Sequence, residues 1–211
     1  MIEQGTVDVT RSLRYAIRNA ASTPVHLIYL LHGYGQLAHY FLRKVEHLFP
    51  ENVCFVAPEG MHRFYQSGTA GRVGASWMTR EARELDITEN THALNKLHEQ
   101  LEATLQPQKI IVIGFSQGGA TAARWIADGK VNTDCFISWA SVYPPDLGFP
   151  EQATFQPSKN LFVLGTSDQF FNEEAVEQAS KDYLQRGFEI VRFEGGHDLD
   201  AAVLEHLIQS I

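Results

Sequence analysis

Short β-branched runs alternate along this chain with longer stretches in which apolar residues recur every three to four positions. Val25 to Leu31, Val53 to Ala57, Lys109 to Ile113, Cys135 to Trp139, Leu161 to Leu164 and Glu189 to Phe193 read as buried strands. Strands and helices taking turns in this way predict a mostly parallel sheet with helices on both faces. Val7 to Thr10 and Leu13 to Ile17 alternate apolar with polar and lie close together, which predicts an antiparallel hairpin at the sheet edge. Leu94, Leu97, Leu101 and Leu105 mark the strongest helix, and Asp86-Ile87-Thr88-Glu89 ahead of them resembles a capping box. Asn172 followed by two glutamates reads as another helix start. Two long connections remain, Pro58 to Leu85 and Ala140 to Lys159, and loops of such length in a small domain usually form substrate walls.

The 211 residues suit one domain spanning 1–211, with no repeat, low-complexity tract or linker to divide it. A net charge of −8 argues against nucleic acid and anionic membranes, both of which require a Lys/Arg surplus. No apolar run approaches the roughly 20 residues that span a bilayer, so stable membrane insertion is not expected. The first residues lack the pattern of an export signal, and Cys54 and Cys135 lie in strand-like apolar segments. A cytoplasmic location is the simplest expectation; a homodimer is left open.

Chemistry enters at Gly114-Phe115-Ser116-Gln117-Gly118, which follows a predicted strand and opens a helix of small residues. A nucleophilic serine needs a tight, strained strand-to-helix turn, and glycines on either side let chain and helix approach. Such a turn also aims the Gln117 N–H, at the helix start, toward negative charge developing on a carbonyl oxygen. The second oxyanion donor is expected from Leu30-Leu31-His32-Gly33-Tyr34-Gly35, with the Tyr34 N–H first and Gly35 next. His32 itself reads as structural, because in this chain order the base follows the nucleophile.

Nine histidines compete for the role of base, and position sorts them. His197 sits in the Gly-rich loop Glu194 to Asp198, just after the last strand, whereas His92, His98 and His206 fall on helical segments and read as solvated. The acid is expected at the end of the preceding strand, where Leu161 to Leu164 leads through Gly-Thr-Ser into Asp168. Asp134 and Asp146 are the rivals, read as turn or surface residues. Trp77, Trp139, Tyr143, Phe170 and Phe171, on long loops or near strand ends, are the candidate pocket walls. No His-Glu-x-x-His motif or cysteine/histidine cluster is present, so neither a metal nor an organic cofactor is expected.

Taken together, Leu-His-Gly-Tyr-Gly, Gly-Phe-Ser-Gln-Gly-Gly, Gly-Thr-Ser-Asp and Gly-Gly-His resemble, in order and spacing, the carboxylesterase, phospholipase and acyl-protein thioesterase family. The resemblance runs from about Val25 to the C-terminus. It implies an α/β-hydrolase fold without a large cap, Ser116, Asp168 and His197 as catalytic triad, and Gln117 as oxyanion donor. Ala57-Pro58 and Ser76-Trp77 also sit where the family has comparable residues. Gln169-Phe170-Phe171 stands where the family commonly has Val-Pro after the acid, and the tract from Gly68 to Arg83 is untypical of the thioesterases.

The expected activity is cleavage of small carboxylic esters, short to medium acyl or aryl, through an acyl-enzyme. Thioesterase or lysophospholipase action is the alternative within the family. A peptidase or acyltransferase could use the same three residues. From another class, a catalytically idle member binding a small ligand could keep the same fold.

Overall fold

A computed structural model describes residues 1–19, 25–48, 51–148 and 157–211. Seven strands form one sheet: β1 (Tyr15–Arg18), β2 (His26–Leu31), β3 (Val53–Pro58), β6 (Lys109–Phe115), β7 (Cys135–Trp139), β8 (Lys159–Gly165) and β9 (Glu189–Phe193). Their order is β1-β3-β2-β6-β7-β8-β9, and every pairing is parallel except that of β1 with β3. The helices are α1 (Ala38–Leu42), α2 (Arg83–Leu105), α3 (Gln117–Ala127), α4 (Glu173–Leu184) and α5 (Ala201–Gln209). A parallel sheet must be covered on both faces, and β2, β3, β6 and β7 are accordingly buried at nearly every position. Glu189 to Phe193 forms the expected strand but not a buried one: β9 is the sheet edge, and each of its residues is partly or fully exposed.

The register sets the site. Leu31 pairs with Gly114, Phe115 with Trp139 and Gly165 with Phe193, so β2, β6, β7, β8 and β9 end along one edge. The turns that follow them collect there, as ligand-binding turns do in open parallel sheets.

Three expectations are corrected. The N-terminal hairpin does not form: residues 7–10 contain no strand, and Val7 and Val9 are exposed. The two residues between the proposed strands, Arg11 and Ser12, do not favour the positive φ of a tight hairpin turn, while the open edge of β3 offers the second segment a complete ladder, from Tyr15↔Pro58 to Arg18↔Phe55.

The stretch 58–85 is not a plain loop either. It holds β4 (His62–Ser67) and β5 (Ala70–Ser76), an antiparallel pair separate from the main sheet. Finally, α2 starts three residues ahead of the proposed capping box, after Ala82 in the left-handed region. Asp86 is buried inside that helix, and its carboxylate accepts from the Thr79 N–H (3.0 Å), so it fastens the preceding loop rather than its own helix end. The second long connection, 140–158, contains a short 3₁₀ turn at Pro145–Leu147; its residues 149–156 lie outside those described.

The Asn172 cap is as expected: its side chain accepts from the Ala175 N–H at 2.8 Å. His98 differs from expectation. It is buried on the inner face of α2 and shares a hydrogen bond with the Tyr29 hydroxyl (3.0 Å), whereas His92 and His206 are exposed.

Candidate active site

Ser116 stands between β6 and α3 with φ 53° and ψ −120°, outside the helical and extended regions. Its N–H donates to the Trp139 carbonyl (2.8 Å), which fixes the turn against the neighbouring strand. Two glycines make the turn possible. A Cβ on Gly114 would lie 2.5 Å from the Gly118 carbonyl oxygen, and one on Gly118 would lie 2.3 Å from the Leu31 carbonyl oxygen. Any side chain at either position would force β6, α3 and the end of β2 apart.

The three chemical groups expected from the sequence come together. His197 Nε2 is 3.0 Å from Ser116 Oγ, and His197 Nδ1 is 2.7 Å from Asp168 Oδ2. With Asp168 buried and Oδ1 accepting from the Phe170 N–H (2.9 Å), the carboxylate is fixed as an acceptor. In the neutral ring this carboxylate selects the tautomer with the proton on Nδ1, which turns the Nε2 lone pair toward the serine hydroxyl. Phe115 and Phe170 hold the ring between them, their centroids 4.9 and 4.5 Å from its own. The Asp198 carbonyl accepts from Trp139 Nε1–H (3.0 Å) and its carboxylate pairs with Lys44, which anchors the loop carrying His197. The rival acids lie elsewhere. Asp134 accepts from the Ile110 N–H at the start of β6, and Asp146 is bound by Arg124 and Arg83. The Arg124 guanidinium holds the Asp146 carboxyl well below the usual carboxylate range.

The expected oxyanion donors divide. The Gly35 N–H donates to the Ala75 carbonyl (2.8 Å) and the Gly33 N–H to Gln36 Oε1 (2.8 Å), so neither is available; Gly35 is thus corrected. The N–H groups of Tyr34 and Gln117 have no partner among the described residues. The Gln117 side chain is occupied: Oε1 accepts from the Trp77 N–H (3.0 Å) and Nε2–H donates to the Met78 carbonyl (2.9 Å). Only its backbone is free to face a substrate.

His32 is structural, as its place in the chain implies. It is fully buried, its Nδ1–H donates to the Gly33 carbonyl (2.8 Å), and its Nε2 accepts from the Gly60 N–H (3.0 Å). Burial holds its pKa below the ordinary histidine value.

A cavity of about 600 Å³ opens beside Ser116 and His197. Phe170, 69% exposed, and Phe171 line it. The other three aromatics named from the sequence do not. Trp77 is buried with Nε1–H donating to the His32 carbonyl (2.8 Å), and Trp139 is buried in β7. Tyr143 packs edge-on against Tyr183 and lies under the Arg186 guanidinium. Each is large enough that burial outweighs exposure on a loop or at a strand end. Gln36, Ala120, Ser141 and Val142 are lining residues the sequence did not single out. The small side chains of the first turn of α3 were the available signal for Ala120.

These turns at the sheet edge match a known pattern over most of the chain. The model of the phospholipase/carboxylesterase family matches residues 14–211. This chain belongs to that family. No curated protein matches its sequence. Among solved structures, esterase PE8 superimposes with a TM-score of 0.71 at 21% identity, covering 95% of this chain and 100% of that one. A carboxylesterase from Mesorhizobium loti gives 0.73 at 15%, covering 94% and 95%, and the Zea mays acyl-protein thioesterase 2 gives 0.68 at 18%, covering 93% and 96%. At such identities the likeness speaks for the fold: an α/β hydrolase with no large cap. Among the described residues, no helix is long and apolar enough to cross a membrane.

Proposed function

We propose that this family member hydrolyses carboxylic esters of short to medium acyl or aryl groups through an acyl-serine intermediate on Ser116. The observation that carries the reading is the continuous bonded series from Ser116 Oγ through His197 to Asp168, at 3.0 and 2.7 Å. As Ser116 Oγ attacks the carbonyl carbon, His197 Nε2 takes its proton, and Asp168 stabilises the imidazolium without itself being protonated. The N–H groups of Gln117 and Tyr34 receive the oxyanion. Collapse of the tetrahedral intermediate expels the alcohol, which takes the proton from His197. Water, deprotonated by the same imidazole, then attacks the acyl-serine, and as the acid leaves the imidazolium returns the proton to Ser116 Oγ.

Cavity size and openness to solvent support small substrates, with Phe170, Phe171 and Val142 as apolar walls. The free thiols of Cys54 and Cys135 are buried, which suits a reducing cytoplasm. The test is turnover of an activated butyrate ester. Ser116→Ala should reduce it by about 10⁴-fold or more, and a fluorophosphonate should label the wild type at Ser116. Turnover surviving the substitution would remove the mechanism.

A further inference from the structure

A second and larger cavity, of about 730 Å³, lies between α1 and the β4–β5 hairpin. Gln36 lines both this groove and the catalytic cavity, so the two meet at the oxyanion loop. The basic side chains of the groove are Lys44, Arg72 and His39, and no carboxylate is among its lining residues. That is the reverse of the whole chain, in which 25 acidic residues outnumber 17 basic ones. Cations gathered in a concave place on a net-negative protein focus a field that attracts anions.

The two permanent cations have different duties. Lys44 is bonded to Asp198, next to His197, and ties one wall of the groove to the loop of the base. The side chain of Arg72, exposed on β5, has no hydrogen bond or ion pair among the described residues. Its planar fork of donors matches a carboxylate or a phosphate. Tyr40 and Val73 supply apolar flanks beside it.

We infer that this groove is a second substrate subsite, and that the ester turned over best carries an anionic group, carboxylate or phosphate, received by Arg72. The inference deepens the ester-hydrolase reading and rests on it.

Matched pairs of esters test it. Nitrophenyl butyrate against the nitrophenyl monoester of glutarate puts the charge on the acyl half. Ethyl butyrate against the butyryl esters of glycolate and of glycerol phosphate puts it on the alcohol half. In at least one pair the anion should raise kcat/KM about fivefold through KM, the upper range for a solvent-facing ion pair, and added salt should shrink the gain. Arg72→Gln should return that ratio to about one and Arg72→Glu should invert it, and the responding pair tells which half of the ester enters the groove. A wild-type ratio at or below one in every pair, or a ratio that Arg72→Gln leaves unchanged, overturns the subsite while the hydrolase reading stands. If neither charged nor neutral esters are turned over, the hydrolase reading fails by itself. Calorimetric titration with glutarate and with inorganic phosphate then decides the subsite: saturable binding lost in Arg72→Gln supports it, and no binding to the wild type overturns it.

Discussion

The turns at the ends of β6, β8 and β9 and the β4–β5 hairpin border two cavities that share Gln36 but are built on opposite terms. The turns stand on parallel strands of the main sheet, of which β6 is buried almost throughout and β8 over most of its length, and the groups they carry are held by short bonds: Ser116 by the Trp139 carbonyl, Asp168 by the Phe170 N–H, and His197 by Asp168 and Ser116. The hairpin is largely exposed, and among the described residues its strands pair with each other and, by one bridge, Ala75 with Gln36. Yet that bridge fastens the oxyanion loop. The Gly35 N–H donates to Ala75 O, the Ala75 N–H to Gln36 O, and Tyr34 stacks on Phe64 at 5.2 Å. The rigid frame thus holds Ser116, His197 and Asp168, while an exposed appendage fastens the loop that carries Tyr34, the proposed oxyanion donor, and forms one wall of the neighbouring groove.

The sharpest way to break this division is on the frame side. Asp168→Asn keeps the shape of the side chain but can present its amide N–H₂ to Nδ1, which favours the wrong imidazole tautomer. A fall in kcat of about 10⁴ is expected with little change in KM. Steady-state kinetics on a small ester measures it, and a loss below tenfold would show that the carboxylate only supports the loop.

On the hairpin side a smaller effect is expected. A Cβ at Gly74 would lie 2.5 Å from the Gly35 carbonyl oxygen, so Gly74→Ala must push the oxyanion loop off the hairpin. If that loop supplies a donor, kcat should fall by about 10²-fold while KM moves far less, as when one oxyanion donor is lost. Urea unfolding of the same variant separates loosening of the loop from general instability. A destabilised enzyme with normal kcat would mean that the hairpin is mere cover.

Phe64→Ala sharpens the point further, since it removes only the ring beneath Tyr34. A stacked aromatic pair is worth about 0.5–1.5 kcal/mol, so kcat should fall about two- to tenfold and recover in Phe64→Tyr. Equal losses in both variants would assign the effect to something other than stacking.

The frame was legible in the sequence because its constraints are local and repeated. A buried strand followed by Gly-x-Ser-x-Gly and small helix residues admits few other structures, and the strand order places Asp168 and His197 at the same edge. The hairpin was not legible. His62 to Ser67 shows only partial alternation of apolar with polar, its burial pattern is mixed, and Ala70 to Ser76 is rich in glycine. Trp77 and Trp139 were misread for a related reason: a strand end near the site can as well bury an aromatic as offer it, and only the indole N–H partners, the carbonyls of His32 and Asp198, decide between them. Asp86 failed as a cap because its partner, Thr79, sits in a loop whose path no local pattern reveals.

The smallest expected effect concerns the joint between the two regions. His32 binds the Gly33 carbonyl through Nδ1–H and the Gly60 N–H through Nε2, so it links the oxyanion loop to the turn that leads into the hairpin only while neutral. Burial lowers its pKa from the ordinary 6.5. Below that pH the unfolded chain takes up a proton that the folded chain refuses, so stability is full above it and declines as pH falls toward the folded-state pKa. His26 and His98 are shifted in the same direction, also first by burial, and add to the slope. Replacing His32 by Gln lowers stability at every pH but removes one titrating group. Urea midpoints measured between about pH 7.5 and 5 should therefore fall less steeply in His32→Gln than in the wild type. Parallel slopes would mean that His32 takes up its proton as readily in the folded chain as in the unfolded one, and that no preference for a neutral ring is built into its bond with the Gly60 N–H.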